Sequence, residues 1–163
     1  MLFRIETKAP LQLAIAPRPR GGDWLEDDLR MLRRDGVDVL VSLLTVEETR
    51  ELGLIEEQFL SDKVGIEFHQ FPIPDRAVPQ DTAEFLAFID SLQAKTREGK
   101  LIAAHCRACI GRSSLFLAVL MRKSGGFTAD QAFDLLSRAR GLTVPDTPEQ
   151  RAWVASLQFS ART

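Results

Sequence analysis

The stretch Leu101-Ile-Ala-Ala-His-Cys-Arg-Ala-Cys-Ile-Gly-Arg-Ser-Ser114 decides how this chain folds. Its apolar start belongs to a predicted strand from Lys100 to Ala104, and the apolar run that begins after Arg112 predicts a buried helix. A tight loop must join the two. In such a strand-loop-helix unit, the loop amides and the free N–H groups at the start of the helix form a cradle for an anion. The stretch therefore predicts an anion site where the strand ends.

Strands and helices alternate along the rest of the chain. Val37 to Leu44 is a nearly continuous run of β-branched residues and leucines, typical of a strand buried on both faces. The other predicted strands are Leu2 to Ile5, Leu11 to Ile15 and Gly65 to Phe71, and the predicted helices are Trp24 to Arg34, Val46 to Leu52, Ile55 to Ser61, Thr82 to Thr96, Thr128 to Arg138 and Thr147 to Leu157. This order predicts one α/β domain over residues 1–163, with a central, mostly parallel sheet flanked by helices on both sides.

The overall composition excludes several classes of partner. The chain has 163 residues, 45% of them hydrophobic and 27% charged, with a formal net charge of −2. Without a global positive field, the chain is not expected to bind nucleic acid or an acidic membrane surface. No stretch reaches the roughly 18 apolar residues of a membrane span. We therefore expect a cytoplasmic protein.

The cysteines indicate chemistry rather than scaffolding. The chain has only two, Cys106 and Cys109, which are too few and too close together to staple a secreted fold. His105 and these two cysteines offer at most three metal ligands, and the only other histidine, His69, lies on a predicted strand. A structural zinc site normally has about four such ligands. No metal or other cofactor is expected.

Cys106 and Arg112 fit the chemistry of the predicted anion site. The amides and the helix dipole that bind an anion also favour a thiolate, and cysteines in such places have pKa values of about 3.5 to 7.5. Cys106 is therefore a candidate nucleophile. Arg112 follows it after five intervening residues and can bind two oxygens of a phosphoryl group with its planar fork. The Ser113 hydroxyl can stabilise the Cys106 sulfur as a leaving group.

This loop resembles the signature of the protein tyrosine and dual-specificity phosphatase superfamily, which is HC, five residues, R, then S or T. The matching residues are His105, Cys106, Arg107, Ala108, Cys109, Ile110, Gly111, Arg112 and Ser113. The resemblance implies a phosphocysteine intermediate formed without a metal. In this interpretation His105 orients the loop through main-chain hydrogen bonds, and Arg107 either is a spectator or adds positive charge at the rim.

A general acid must protonate the leaving oxygen of the substrate. Asp75 is the first candidate, because it lies 31 residues before Cys106 in a proline-flanked loop, where smaller members of the superfamily carry their acid. Asp81 is the second candidate. The same carboxylate can then serve as a base for the attacking water.

Two residues have more than one interpretation. Gln150 resembles the glutamine with which some family members position water; alternatively, Asp146 or Thr147 caps the last helix and Gln150 faces solvent. Cys109 stands where the family usually has glycine. A positive φ there would add about 1 to 3 kcal/mol of strain. Its thiol is either a redox partner that forms a reversible disulfide with oxidised Cys106, or a small side chain that fills the loop.

The resemblance predicts a protein phosphatase of the small dual-specificity type. Its expected substrates are proteins or peptides that carry phosphotyrosine, with phosphoserine and phosphothreonine as further candidates. Two alternatives stay open: a weakened, phosphate-binding pseudophosphatase, and a phosphatase of phosphoinositides or RNA 5′ phosphates. The physiological substrate and the oligomeric state have no signal in the sequence.

Overall fold

The strands form one mixed sheet in the computed structural model, which describes residues 1–159. Within this part of the chain the order is β1-β2-β5-β3-β4, and only β1 runs antiparallel, against β2. The strands are β1 (Phe3–Arg4), β2 (Gln12–Ile15), β3 (Val39–Ser42), β4 (Glu67–Gln70) and β5 (Leu101–His105). The predicted parallel character of the sheet is confirmed.

The helices follow the predicted order. A short 3-10 helix (Gly22–Trp24) precedes α1 (Leu25–Arg34), α2 (Val46–Glu51), α3 (Glu57–Val64), α4 (Thr82–Ser91), α5 (Gln93–Arg97), α6 (Arg112–Gly125), α7 (Ala129–Arg140) and α8 (Pro148–Ser156). The helix predicted from Thr82 to Thr96 is divided into α4 and α5 at Leu92. None of the helices described in residues 1–159 combines the length and the apolar character needed to cross a membrane.

Both faces of the sheet are covered by helices. Side chains alternate along a strand, so Leu13 and Ile15 pack with α4, α6, α7 and α8, whereas Ala14 belongs to the cluster that contains the buried residues of α1. α6 is apolar on all sides, and its residues from Arg112 to Met121 are all buried. The predicted fold, a mostly parallel sheet between two helical layers, is confirmed, with β1 as the one antiparallel strand among those described.

The sheet order brings three loops together. β5 lies beside β3, and β3 lies beside β4, all parallel. Their carboxyl ends therefore meet at one edge, where open α/β sheets usually bind ligands. The loop after β5 contains Cys106, α2 follows β3, and the segment after β4 contains Asp75. The site is built from these three connections.

Candidate active site

Cys106 lies directly after β5, beneath the start of α6, and is 2% exposed. α6 begins at Arg112, and its N-cap Gly111 supplies no capping side chain, so the first N–H groups remain available to an anion. A hydrogen bond from the Cys109 thiol does most to lower the pKa of Cys106, and Ser113 and the charge of Arg112 lower it further. Burial opposes this shift but is outweighed. The surroundings of the sulfur therefore favour its thiolate form, in the direction that the sequence predicted.

Arg112 is 1% exposed and is held by a carboxylate that the sequence analysis did not identify. Its Nη1 and Nη2 donate to the two carboxylate oxygens of Glu48 at 2.6 and 2.9 Å, and Nη1 also donates to the Ile73 carbonyl at 2.8 Å. The hydrogen bond from Arg112 lowers the pKa of Glu48 to about 2. This ion pair fixes the guanidinium above Cys106 before any substrate arrives.

Glu48 had a local signal in the sequence, but not one for this role. Thr45 and Glu48 form a capping box at the start of α2, and this pattern is visible in the sequence. The pattern identifies the start of the helix, whereas the contact with Arg112 joins residues 64 positions apart. Only the pairing of β3 with β5 brings them together.

Asp75 lies at the mouth of the site. Its Oδ1 is 3.2 Å from Nη2 of Arg112, and its side chain is 58% exposed. Asp81, the second candidate acid, is instead the N-cap of α4, where its Oδ1 accepts a hydrogen bond from the Glu84 N–H at 3.0 Å. Of the two carboxylates, the structure brings Asp75 into contact with the other predicted site residues.

The carbonyl groups of the loop are tied to two arginines from other elements. Arg18 donates to the carbonyl of Arg107 at 2.9 Å, and Arg140 donates to the carbonyls of Cys109 at 3.2 Å and Ala108 at 3.4 Å. With these carbonyls held by side chains outside the loop, its amides are free to serve an anion. Sequence reasoning missed both arginines, because nothing local connects them with the loop.

The remaining loop residues occupy distinct positions. Ser113 is fully buried, and its hydroxyl makes no other hydrogen bond of good geometry, so it is available to the Cys106 sulfur. Ile110 packs against the main hydrophobic cluster. Ala108 is exposed, as is Arg107, whose Nη1 lies 3.5 Å from carboxylate oxygens of Glu48 and Glu51.

Cys109 has a φ of 58°, the left-handed conformation that favours glycine. Its Sγ lies 3.1 Å from the Ala16 carbonyl and is 5% exposed. The neighbouring Cys106 raises the pKa of Cys109, so this thiol keeps its proton. The same thiol lies 3.8 Å from the Cys106 carbonyl, and its closeness to Cys106 favours the Cys106 thiolate.

Gln150 does not face solvent, so that expectation was wrong. It is fully buried, its Oε1 accepts from the N–H groups of Asp146 and Thr147 at 3.2 Å, and its Nε2 donates to Ala77 at 3.0 Å. Thr147 caps α8, as predicted. A Cβ on Gly111 would lie 2.9 Å from Gln150 Oε1, so this close approach requires glycine. Gln150 thus joins the Asp75 segment, the catalytic loop and α8.

His105 contacts the fold on two sides. Its carbonyl accepts from the Leu43 N–H at 3.0 Å, which agrees with a role in orienting the loop. Its ring, which the sequence analysis left unassigned, is paired with Glu57 of α3.

We call Cys106, Arg112, Glu48, His105 and Glu57 the floor of the site, and Asp75, Arg76, Arg107 and Asp146 its rim.

The ionisable side chains do not gather into a metal centre. Across residues 1–159, no group of three or more histidine, cysteine, aspartate or glutamate side chains is placed to hold a metal ion. His69 lies on β4 and pairs through Nε2 with Glu67 at 2.7 Å. The site chemistry that the residues offer is nucleophilic attack by sulfur beside a fixed guanidinium.

Known proteins share both the family pattern and this architecture. A family model described as "Polymorphic toxin system, DSP-PTPase phosphatase" matches residues 15–126. The chain is 25% identical over 126 residues to cyclin-dependent kinase inhibitor 3 of Mus musculus, covering 77% of this chain and 59% of that protein's length. Each of these is a similarity, and the mouse protein extends well beyond the matched part.

Solved structures show the same fold at low identity. Kinase associated phosphatase, with a serine in place of its catalytic site cysteine, matches with a TM-score of 0.81 and 21% identity over 94% of this chain and 91% of that one. Tk-PTP in its active form matches with a TM-score of 0.70 and 24% identity, over 93% of this chain and 92% of that one. PTPMT1 in complex with PI(5)P matches with a TM-score of 0.72 and 18% identity, over 88% of this chain and 87% of that one.

Proposed function

Because this chain belongs to the DSP-PTPase phosphatase family of polymorphic toxin systems, we propose that it hydrolyses phosphate monoesters of proteins or peptides through a phosphocysteine intermediate. One observation carries the proposal. The Cys106 thiolate, the start of α6 and the Arg112 guanidinium converge, and Asp75 lies 3.2 Å from that guanidinium. A nucleophile, an anion cradle and a proton donor therefore share one cleft.

In the first half-reaction Cys106 attacks phosphorus. The sulfur–phosphorus bond forms as the bond to the leaving oxygen breaks, and protonated Asp75 gives its proton to that oxygen. The amides at the start of α6 and the Arg112 guanidinium stabilise the charge on the other phosphoryl oxygens. No separate base is required, since the low pKa of Cys106 already supplies the thiolate.

In the second half-reaction water attacks the phosphocysteine. Asp75, now a carboxylate, accepts a proton from this water, inorganic phosphate forms, and the sulfur leaves as a thiolate. The Ser113 hydroxyl, which has no other well-formed hydrogen bond, stabilises the departing sulfur. Gln150 supports this step by donating to the Ala77 carbonyl, two residues beyond Asp75, and so holds the segment that carries the proposed base.

The proposed substrates are phosphorylated proteins or peptides, with phosphotyrosine first and phosphoserine or phosphothreonine as further substrates. The names of two relatives refer to kinases, which supports a protein partner. We place the activity in the cytoplasm, where thiols such as those of Cys106 and Cys109 are kept reduced. In this proposal residues 1–163 act as one catalytic domain.

A phosphoinositide is the second candidate substrate. A phosphatase of similar fold has been solved in complex with PI(5)P, and Arg18 and Arg140 add positive charge beside the loop that the sequence analysis did not count. A non-hydrolysing phosphate binder is the remaining alternative. The floor argues against it, since the nucleophile and guanidinium of the family pattern are both in place.

Turnover of p-nitrophenyl phosphate, phosphopeptides and PI(5)P tests the proposal on three proteins. Wild type is expected to turn over phosphopeptides, and Cys106→Ser to bind them without releasing phosphate. Asp75→Asn should slow peptides by about 10²- to 10⁴-fold, the usual effect of removing a general acid. The loss should be smaller for p-nitrophenyl phosphate, whose leaving group needs less protonation. Equal turnover by wild type and Cys106→Ser contradicts the mechanism.

We also propose that Cys109 protects Cys106 from oxidation. A hydroperoxide converts the Cys106 thiolate to a sulfenic acid, and the Cys109 thiol then displaces water from it to give a disulfide. A thiol reductant restores both cysteines. After peroxide, wild type should regain activity with dithiothreitol, whereas Cys109→Ser should progress to irreversible oxidation. Equal recovery of the two proteins removes this proposal.

A further inference from the structure

A carboxylate outside the sequence motif lies beneath the catalytic loop. Glu57 Oε2 is 2.6 Å from Nε2 of His105, and the two side chains are 3% and 0% exposed. Glu57 is the first residue of α3, which belongs to a different part of the chain from β5 and is 48 positions away from His105. The contact is therefore a product of the fold and reaches the residue next to the nucleophile.

The surroundings of His105 leave Glu57 as its only close carboxylate among the described residues that pack there. The adjacent strands, β2 and β3, contain no ionisable residue. α1 buries only leucines, and α6 contributes Arg112, which is engaged by Glu48. Next to His105 along the chain, the ionisable neighbour is Cys106. The charge state of His105 is thus set by Glu57 and by the Cys106 sulfur.

Glu57 and Cys106 both favour the charged imidazole. Burial by itself favours the neutral ring, but the charge and hydrogen bond of Glu57, together with the charge of Cys106, raise the pKa of His105. Nδ1 of His105 is buried and has no partner of good geometry, so its proton is not committed to another side chain. Glu57, 2.6 Å from Nε2, and the neighbouring Cys106 therefore both favour the charged form of the ring.

We propose that Glu57 is a positioning residue of the active site, which holds His105 charged so that the imidazolium stabilises the Cys106 thiolate from beneath the loop. The proposal rests on the proposed function, in which that thiolate is the nucleophile. It assigns to α3 a part in catalysis although Glu57 touches neither the substrate nor the sulfur.

The electrostatics of the site give the direction of the effect. If Glu57 becomes neutral, the buried imidazole loses the carboxylate that offsets its desolvation and gives up its proton. The sulfur then loses a neighbouring positive charge, and the pKa of Cys106 rises. Glu57→Gln keeps the size of the side chain and its acceptor oxygen but removes the charge, so it isolates this effect.

The rate of Cys106 alkylation by iodoacetamide, measured against pH with the site assigned by mass spectrometry, tests the proposal. Glu57→Gln should move the inflection to higher pH and slow alkylation at pH 6 by about fivefold or more, within the range of coupled residues. Glu56→Gln, an exposed neighbour on the same turn, should match wild type. In a His105→Asn background, Glu57→Gln should have no further effect. An unchanged profile, or the same shift without His105, overturns the proposal.

A measurement on the wild-type protein does not depend on whether Glu57→Gln folds. The chain has two histidines, so their ¹⁵N resonances can be assigned with a His69→Gln variant. His105 should remain an imidazolium through pH 7, and a neutral ring at that pH overturns the proposal. Alkylation reports on the sulfur directly, so a failure here is distinct from a failure of phosphatase turnover, which the Cys106→Ser comparison reveals.

Discussion

The floor and the rim of the active site hold their charges in different ways. In the floor, Arg112 is 1% exposed and its partner Glu48 is 11% exposed. At the rim, Asp75 is 58% exposed, and Arg76 is 62% exposed although it pairs with Asp146 at 3.0 Å. Charges out of water interact strongly and are costly to leave unpaired, whereas exposed pairs are screened. The floor is therefore fixed by electrostatics, and the rim is not.

This difference matches the two tasks of the site. The nucleophile and the guanidinium must be in place before the reaction, because preorganised charges lower the barrier without having to rearrange. A general acid must exchange protons and admit a substrate, and the proposed acid, Asp75, lies where water can reach it. Backbone contacts, such as that of Gln150 with Ala77, hold the rim segment instead of buried ion pairs.

Glu48→Gln is expected to have the largest effect on stability. It removes the carboxylate that holds both ends of the buried Arg112 guanidinium and leaves the exposed Asp75 as the carboxylate beside it; breaking a buried pair typically costs about 3–5 kcal/mol. Urea unfolding at pH 7 measures the loss, and Glu47→Gln, an exposed neighbour on α2, is the matched control. Equal midpoints for the two variants would show that the floor is no more strongly coupled than the surface.

The pH dependence of the same variant sharpens the comparison. The pKa of Glu48 is lowered from 4.5 to about 2 in the folded protein. A carboxyl group with a lowered pKa stabilises the fold above its unfolded value, and this stabilisation is lost as the pH falls toward the folded value. The gap between wild type and Glu48→Gln should therefore be full at pH 7 and smaller near pH 3. A gap that widens in acid contradicts the ion-pair account.

Cys109→Gly separates backbone strain from electrostatics in the floor. Glycine relieves the strain of a positive φ, typically about 1–3 kcal/mol. Part of this gain in stability is lost, because glycine also makes the unfolded chain more flexible. It also removes the thiol that contributes most to the low pKa of Cys106, so that pKa should rise. Thermal unfolding and iodoacetamide alkylation against pH measure the two effects. Cys109→Ser keeps a donor and should alkylate nearly as wild type does.

Arg76→Ala should have the smallest effect. Its ion pair with Asp146 is exposed, and surface substitutions usually change stability by less than about 0.5 kcal/mol. Thermal unfolding of wild type and variant at low and moderate salt measures it. A loss comparable to that of Glu48→Gln would mean that the rim is held by charge after all.

The fold class was predictable because it depends on local patterns. The buried run around β3 and the strand-loop-helix stretch predicted the parallel sheet. Thr147, which forms a capping box in the structure, was a predicted cap of α8. Gln150 was misjudged because its burial comes from the segment around Ala77 and from Gly111, which are distant in sequence. The division of the long predicted helix at Leu92 likewise had no strong signal such as proline.

The sequence by itself predicted the proposed nucleophile, the guanidinium and the helix start that surround the anion cradle, because all three lie within one short stretch and their geometry is local. Tertiary structure decided which carboxylates pair with that stretch. Glu48 reaches Arg112, and Glu57 reaches His105, only because strand order places α2 and α3 against the end of β5. Such pairs depend on packing across the whole sheet, and no spacing along the chain encodes them.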